Sequence, residues 1–308
     1  MVDINNITSI TLEECEELMN ENNGNLNLSY TKIKSLPDGL VVRRNLYLYY
    51  SHIESLPNDI KVGGDIDISH TFIKSLPDNL VAVNGNLFAH VSYLSKLPNG
   101  LKVEGDLDIS DTNITEIPDD ISIGANFSLT NTNIKSLPSS MTFINGDLDL
   151  CFSKIESLPD NLTVDGYLDV SGTPITSLPD NLVVKDSLFV DHTEIDKLPD
   201  SLDVDSMIMA NSTKISKISS NLTEGIVLNL SDTNLSELPD NLVVGSLNIN
   251  NTPIDHLPNN LKVEGDLYIS NTNISVLPED LVVYGDIDIR DTKITTIPDK
   301  FEGKCNKT

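Results

Sequence analysis

At 308 residues the chain has room for two ordinary domains, and a 39% hydrophobic content is enough for a continuous core. Forty-seven Asp and Glu against 20 Lys and Arg leave a net charge of −27, which argues against binding nucleic acid or an anionic membrane through electrostatics. Cys15, Cys151 and Cys305 are too few and too far apart for a disulfide framework or a zinc site.

No apolar h-region follows Met1, and no apolar run approaches the ~18 residues of a membrane span. The expectation is an intracellular, cytoplasmic protein with reduced thiols. Trp is absent and aromatics make up 5% of the residues, so aliphatic side chains must fill the core.

Residues 1–23 stand apart as an N-terminal helical cap. Thr11-Leu12-Glu13-Glu14 fits a capping box, and Leu12, Cys15, Leu18 and Met19 fall on one helical face. Asn22-Asn23-Gly24 ends the segment.

From residue 24 to 301 one phrase recurs. Anchored on its Leu/Ile-Pro step, copies fall at Leu36, Leu56, Leu76, Leu97, Ile117, Leu137, Leu158, Leu178, Leu198, Ile218, Leu238, Leu257, Leu277 and Ile297. Of the thirteen spacings, ten are 20 residues, two are 21 and one is 19. So strict a period predicts a solenoid, one array in which repeats touch only their neighbours.

Each copy opens with an L-x-[IL] strand such as Leu107/Ile109 or Leu148/Leu150, whose alternation sends those residues inward and their neighbours outward. A Thr or Ser follows in every copy, from Thr31 to Thr292, and is expected to pair with backbone groups of neighbouring turns. Pro then fixes φ and predicts an extended, polyproline-like return arm on the convex side, opposite a parallel sheet on the concave face. The copy at Ile218 has Ser219 for Pro and Glu224 for Val, the most irregular turn of the array. Residues 302–308 read as a C-terminal tail with no obvious cap, and Phe301 as a plug for the last turn.

The phrase L-x-[IL]-x-x-[TS]-x-I-x-x-L-P resembles the leucine-rich repeat. Its 20-residue length with Leu-Pro is similar to the short bacterial subclass of secreted effectors of the YopM and IpaH kind, and to arrays in phage and large-virus proteins. The resemblance implies an α/β-type, curved, right-handed repeat solenoid acting as a protein-binding scaffold. The family's usual Asn at the ladder position is Thr or Ser here, and the ligase domain of the IpaH kind has no counterpart, so no enzyme and no cofactor is expected.

Outward strand residues differ most between copies and are the candidate recognition surface. Tyr30, Tyr47, Tyr49, Tyr50, His70, Phe88 and His90 gather aromatic character in the first strands. The carboxylate pairs Asp65/Asp67, Asp106/Asp108 and Asp147/Asp149 skip alternate strands, which keeps like charges ~10 Å apart. The rings also suit a harmless cross-strand stack, and the carboxylates a solvated face, a seat for a basic partner, or weak Ca²⁺ binding. Two readings follow: a scaffold for a protein partner, or an acidic decoy that imitates nucleic-acid phosphate. Oligomeric state stays open.

Overall fold

The computed structural model describes residues 7–306. It is a parallel-strand solenoid built from the fourteen repeats, and it forms two compact units, Met1–Ile155 and Glu156–Thr308.

In the first unit the helix α1 (Leu12–Glu21) begins as the sequence predicts. Thr11 accepts from the Glu14 N–H at 3.2 Å, and Glu14 takes the Thr11 N–H at 2.8 Å. The Thr11 N–H and the Thr11 hydroxyl, both donating to the ionised Glu14 carboxyl, hold Glu14 below its ordinary pKa. Burial is narrower than the expected four-residue face. Cys15 and Met19 are buried with Ile10, whereas Leu12 lies 45% exposed. Burial pushes the Cys15 thiol up to about 11, so it behaves as a small apolar residue. Met1–Asn6 of the expected cap lie outside the described residues.

Seven strands follow in parallel order: Leu26–Asn27, Leu46–Tyr47, Ile66–Asp67, Leu87–Phe88, Leu107–Asp108, Phe127–Ser128 and Leu148–Asp149. Register is strict, with Leu26 opposite Leu46, Leu46 opposite Ile66 and Ile66 opposite Leu87. These inward columns are 0% exposed, as are the aliphatic residues two places on, such as Leu28, Leu48, Ile68 and Ile109. At about 1.5–3 kcal/mol for each fully buried aliphatic side chain, the columns supply most of the driving force.

The second unit repeats the plan with Leu168–Asp169, Ser187–Phe189, Met207–Met209, Val227–Asn229, Leu247–Asn248, Leu267–Tyr268, Ile287–Asp288 and Cys305–Asn306. The return arms are extended, as Pro dictates, and they also pair. Two-residue parallel ladders join Ala82–Val83 to Lys102–Val103 and Ser122–Ile123, and Val243–Val244 to Lys262–Val263 and Val282–Val283. This second ladder is interrupted after Lys61–Val62 and after Ser122–Ile123, and it stops after Asp203–Val204 to resume only at Val243–Val244. The last gap is the copy lacking Pro, where Gly225 adopts φ 82°.

Two expectations change. The Thr/Ser hydroxyls do not reach neighbouring turns. The threonines and Ser92 each donate within their own repeat to the carbonyl three residues back, as in Thr31 to Leu28 (2.7 Å), Thr71 to Ile68 (2.6 Å) and Thr252 to Ile249 (2.7 Å). Three residues is the span of one tight turn, so the hydroxyl closes the end of its own strand. Ser51 is the buried exception, with no partner for its Oγ.

The C-terminal residues are also more than a tail. Phe301, 3% exposed, plugs the last turn, and Cys305–Asn306 adds a strand beside Ile287–Asp288. In the preceding turn Leu261 and Val263 carbonyls accept from Val282 and Tyr284 N–H groups. Their successors, on Leu281 and Val283, meet lysine ammonium groups instead. Lys300 Nζ takes the Leu281 carbonyl (3.1 Å), and Lys304 Nζ takes those of Val283 (2.8 Å) and Tyr284 (3.1 Å). Two lysines therefore do what the next repeat would have done.

Candidate functional site

The outward face of the first unit is layered by position within the repeat. Residues just before each strand form an inter-repeat ladder. Asn45 Oδ1 accepts the Asp65 N–H (3.0 Å), Asp65 Oδ1 accepts that of Asn86 (2.8 Å), and Asn86 Oδ1 accepts that of Asp106 (2.8 Å). Asp106 and Asn126 pass the pattern on at 3.0 and 2.8 Å. The glycines before these residues make room for it. A methyl group on Gly64, Gly85, Gly105 or Gly146 would overlap the accepting oxygen of the previous repeat. Arg44 and Ala125 take the equivalent place before Asn45 and Asn126.

The second outward column ends each strand. Asp67 Oδ1 accepts the Ser69 N–H (2.9 Å), Asp108 that of Ser110 (3.0 Å) and Asp149 that of Cys151 (3.0 Å). These are local Asx turns, and the second carboxylate oxygen of Asp108 faces His90 Nδ1 at 3.3 Å. Register confirms that the carboxylates alternate with other residues. Asp67 lies between Tyr47 and Phe88, and Ser128 lies between Asp108 and Asp149. Tyr47 and Phe88 are thereby held two strands apart, ~10 Å, and do not stack.

Immediately before each buried Thr/Ser, the backbone turns left-handed. All fourteen residues of this column have positive φ: Tyr30 (60°), Tyr50 (54°), His70 (57°), Val91 (52°), Asp111, Asn131, Phe152, Gly172, His192, Ser212, Asp232, Asn251, Asn271 and Asp291. Asn, Asp and Gly suit this conformation, while a bulky side chain there is strained. The first unit nevertheless opens the column with Tyr, Tyr, His and Val.

Those rings stack. Tyr30 and Tyr50 are 4° from parallel with centroids 5.7 Å apart, and Tyr50 and His70 are 9° from parallel at 4.2 Å. Tyr49, at the end of the outward face, meets Tyr30, Tyr50 and His70 edge-on at 5.5, 4.8 and 5.2 Å. Burial among these rings, with the Asp67 carboxylate near, pushes the Tyr49 phenol up. His70 meets His90 at 5.4 Å, and His90 Nδ1 lies 3.0 Å from Ser69 Oγ and 3.3 Å from Asp108 Oδ2.

Of the residues picked from the sequence, Tyr30, Tyr49, Tyr50, His70, His90 and Asp108 thus form one contiguous cluster. Asp67 adjoins it. Tyr47 bonds Asn45 Nδ2 through its hydroxyl (2.7 Å) and sits with Phe88 on the sheet face beside it. Asp65 and Asp106 are ladder members, and Asp147 donates its N–H to the same ladder.

A second aromatic row, which the sequence reading did not single out as a surface, runs two residues further round the turn. Phe72 meets His52 edge-on at 5.8 Å and stacks on Tyr93 at 5.8 Å; Phe72 and Tyr93 are 45% and 52% exposed. The 20- and 21-residue spacing of these three was a legible signal, since it fixes them one above another.

No group of three or more His, Cys, Asp or Glu among the described residues has the placement to hold a metal ion. No described helix is long and apolar enough to cross a membrane. The cluster presents exposed ring area, phenol hydroxyls and flanking carboxylates.

No protein-family model and no curated protein matches the sequence. Solved structures do. YopM from Yersinia pestis is 18% identical over 96% of this chain and 85% of its own, with a TM-score of 0.58. The leucine-rich-repeat protein LIC12759 of Leptospira interrogans is 17% identical over 92% and 83%, also at 0.58. Toll of Drosophila, solved in complex with Spatzle, is 16% identical over 84% of this chain and 47% of its own, at 0.54. At these identities the likeness is one of architecture: this chain has the fold of a leucine-rich-repeat solenoid.

Proposed function

We propose that the chain is a non-enzymatic scaffold that docks a protein partner on the outward sheet face and aromatic turn of its first unit. The observation that carries this reading is the exposed ring cluster built on left-handed backbone. Strained, exposed aromatics are costly for folding alone, and such residues concentrate where a surface is used. The fold's occurrence in Toll, whose described complex is with Spatzle, supports a protein as the ligand. The short Leu-Pro repeat further suggests an effector of the short bacterial or phage type, acting inside a cell on host or defence machinery.

The test is affinity capture with the intact chain and with a Tyr47→Ala, Tyr49→Ala, Phe88→Ala variant, the bound proteins being identified by mass spectrometry. Loss of one specific protein from the variant supports the docking face. A partner released instead by ~0.5 M salt and by Asp67→Asn with Asp108→Asn would favour the phosphate-imitating decoy. If neither set of substitutions changes what is captured, this face is not the docking surface.

A further inference from the structure

The ring stack has two ends, and they are not alike. Toward the C-terminus His70 is followed in its column by Val91 and is touched by His90. Toward the N-terminus Tyr30 is the first residue of the column, 64% exposed, and no ring lies beyond it among the described residues. Its inner face covers Tyr50, while its outer face is an open stacking surface in register with a parallel pile of planes.

A planar group is what continues such a pile, and the surroundings select its charge. The chain carries −27 overall, the Asp67 carboxylate is near enough to help raise the Tyr49 phenol, and α1, which packs on the first strand, exposes Glu17 and Glu21, against Lys32 and Arg44 on the first repeats. A nucleobase is planar but brings phosphate into this field. A lysine ammonium fits the field but is compact, strongly hydrated and not planar. Arginine satisfies both demands, because its guanidinium stacks flat on an aromatic face while its N–H edge remains free for carboxylates.

We propose that the outer face of Tyr30 is an arginine seat, which takes the guanidinium of a basic, extended segment of the partner. This rests on the docking reading above and adds the chemistry of the ligand. It also explains why Tyr stands where Asn251 and Asn271 occupy the same left-handed position without strain.

The experiment uses the whole chain and two blocked synthetic peptides of equal charge, acetyl-Gly-Arg-Gly-Arg-Gly-Arg-Gly-amide and its lysine counterpart, titrated while the Tyr ring NMR signals are followed. The arginine peptide is expected to bind about 2- to 5-fold more tightly, the range of an exposed cation–π contact, and to shift the Tyr30 ring. Tyr30→Phe keeps the preference. Tyr30→Asn, whose backbone demand is met elsewhere in this column, abolishes it without unfolding the chain. Equal binding of the two peptides, a preference that survives Tyr30→Asn, or displacement of the peptide by a short oligothymidylate overturns the proposal. A captured partner lost from the Tyr47→Ala, Tyr49→Ala, Phe88→Ala variant, together with equal peptide binding, would sink the arginine seat alone and leave the docking face standing.

Discussion

The lysine cap at the C-terminal end of the second unit can be tested quantitatively. Lys304→Met removes the ammonium from the Val283 and Tyr284 carbonyls, 2.8 and 3.1 Å away, and leaves the aliphatic stem to pack. A hydrogen bond to a charged donor contributes about 1.5–3 kcal/mol. Lys304 is half-buried, so water recovers part of that loss, and about 1–2 kcal/mol is the expected net for the pair. In a solenoid the deficit falls on the terminal turn and its neighbour, since each repeat contacts only the adjoining ones.

Amide exchange reads it directly. Ile287 and Ile289 donate to the Lys304 and Asn306 carbonyls at 2.8 and 3.1 Å. Their exchange should accelerate by about 5- to 30-fold, while amides of Leu247 and Ile249 change little. Lys293→Met is the control, because Lys293 bonds only the exposed Asn273 side chain at 2.8 Å. Unchanged protection of Ile287 and Ile289 in Lys304→Met would refute the capping argument.

Three further outcomes follow from the same geometry. Phe152 and Tyr50 share the left-handed backbone, but Tyr50 touches three rings and 62%-exposed Phe152 has no ring contact among the described residues. Replacing either with Asn relieves similar strain, so Tyr50→Asn should be the more destabilising by about 1.5–4.5 kcal/mol in urea midpoint experiments, at about 0.5–1.5 kcal/mol for each of its three ring pairs; equal midpoints would mean the stack contributes nothing. Asp288, 6% exposed, is held below the usual carboxylate range by Arg290, which bonds it at 2.7 and 2.9 Å. A depressed pKa means stability that is present above the unfolded value near ~3.9 and lost as pH falls through the folded one, so acid titration of unfolding should show that loss. In Arg290→Met burial dominates, the Asp288 pKa rises, and the sign reverses: stability then falls as pH climbs through it. Finally, Ser51→Thr supplies the methyl group its column usually carries, and thermal unfolding should be unchanged or raised by a few degrees; a lowered midpoint would show that the turn has no room for it.

The two aromatic rows show how far sequence carried the site. Tyr30, Tyr50 and His70 recur at the repeat period, so their stacking was implied by the period alone. Their backbone conformation was not, because Tyr and His do not announce a left-handed residue as Asn or Gly would; only the alignment with Asn251 and Asn271 betrays it. The Asp columns illustrate the converse. Their alternation across strands was readable, but not that Asp65 holds the next repeat's N–H and Asp67 closes its own turn. Both assignments turn on differences of an ångström or less in where a carboxylate oxygen lies relative to the backbone N–H groups.

The sequence by itself determined the solenoid, the inward aliphatic columns, the α1 capping box and the irregular copy at Ile218. Each follows from period, alternation or local backbone preference, which act over a few residues and repeat. Tertiary structure decided which polar atoms meet: Thr with its own strand, Asn and Asp with the next repeat, Lys300 and Lys304 with orphaned carbonyls. Hydrogen bonds are short and directional, so pairing between residues 19 to 21 apart is fixed only once the backbone has closed its turn.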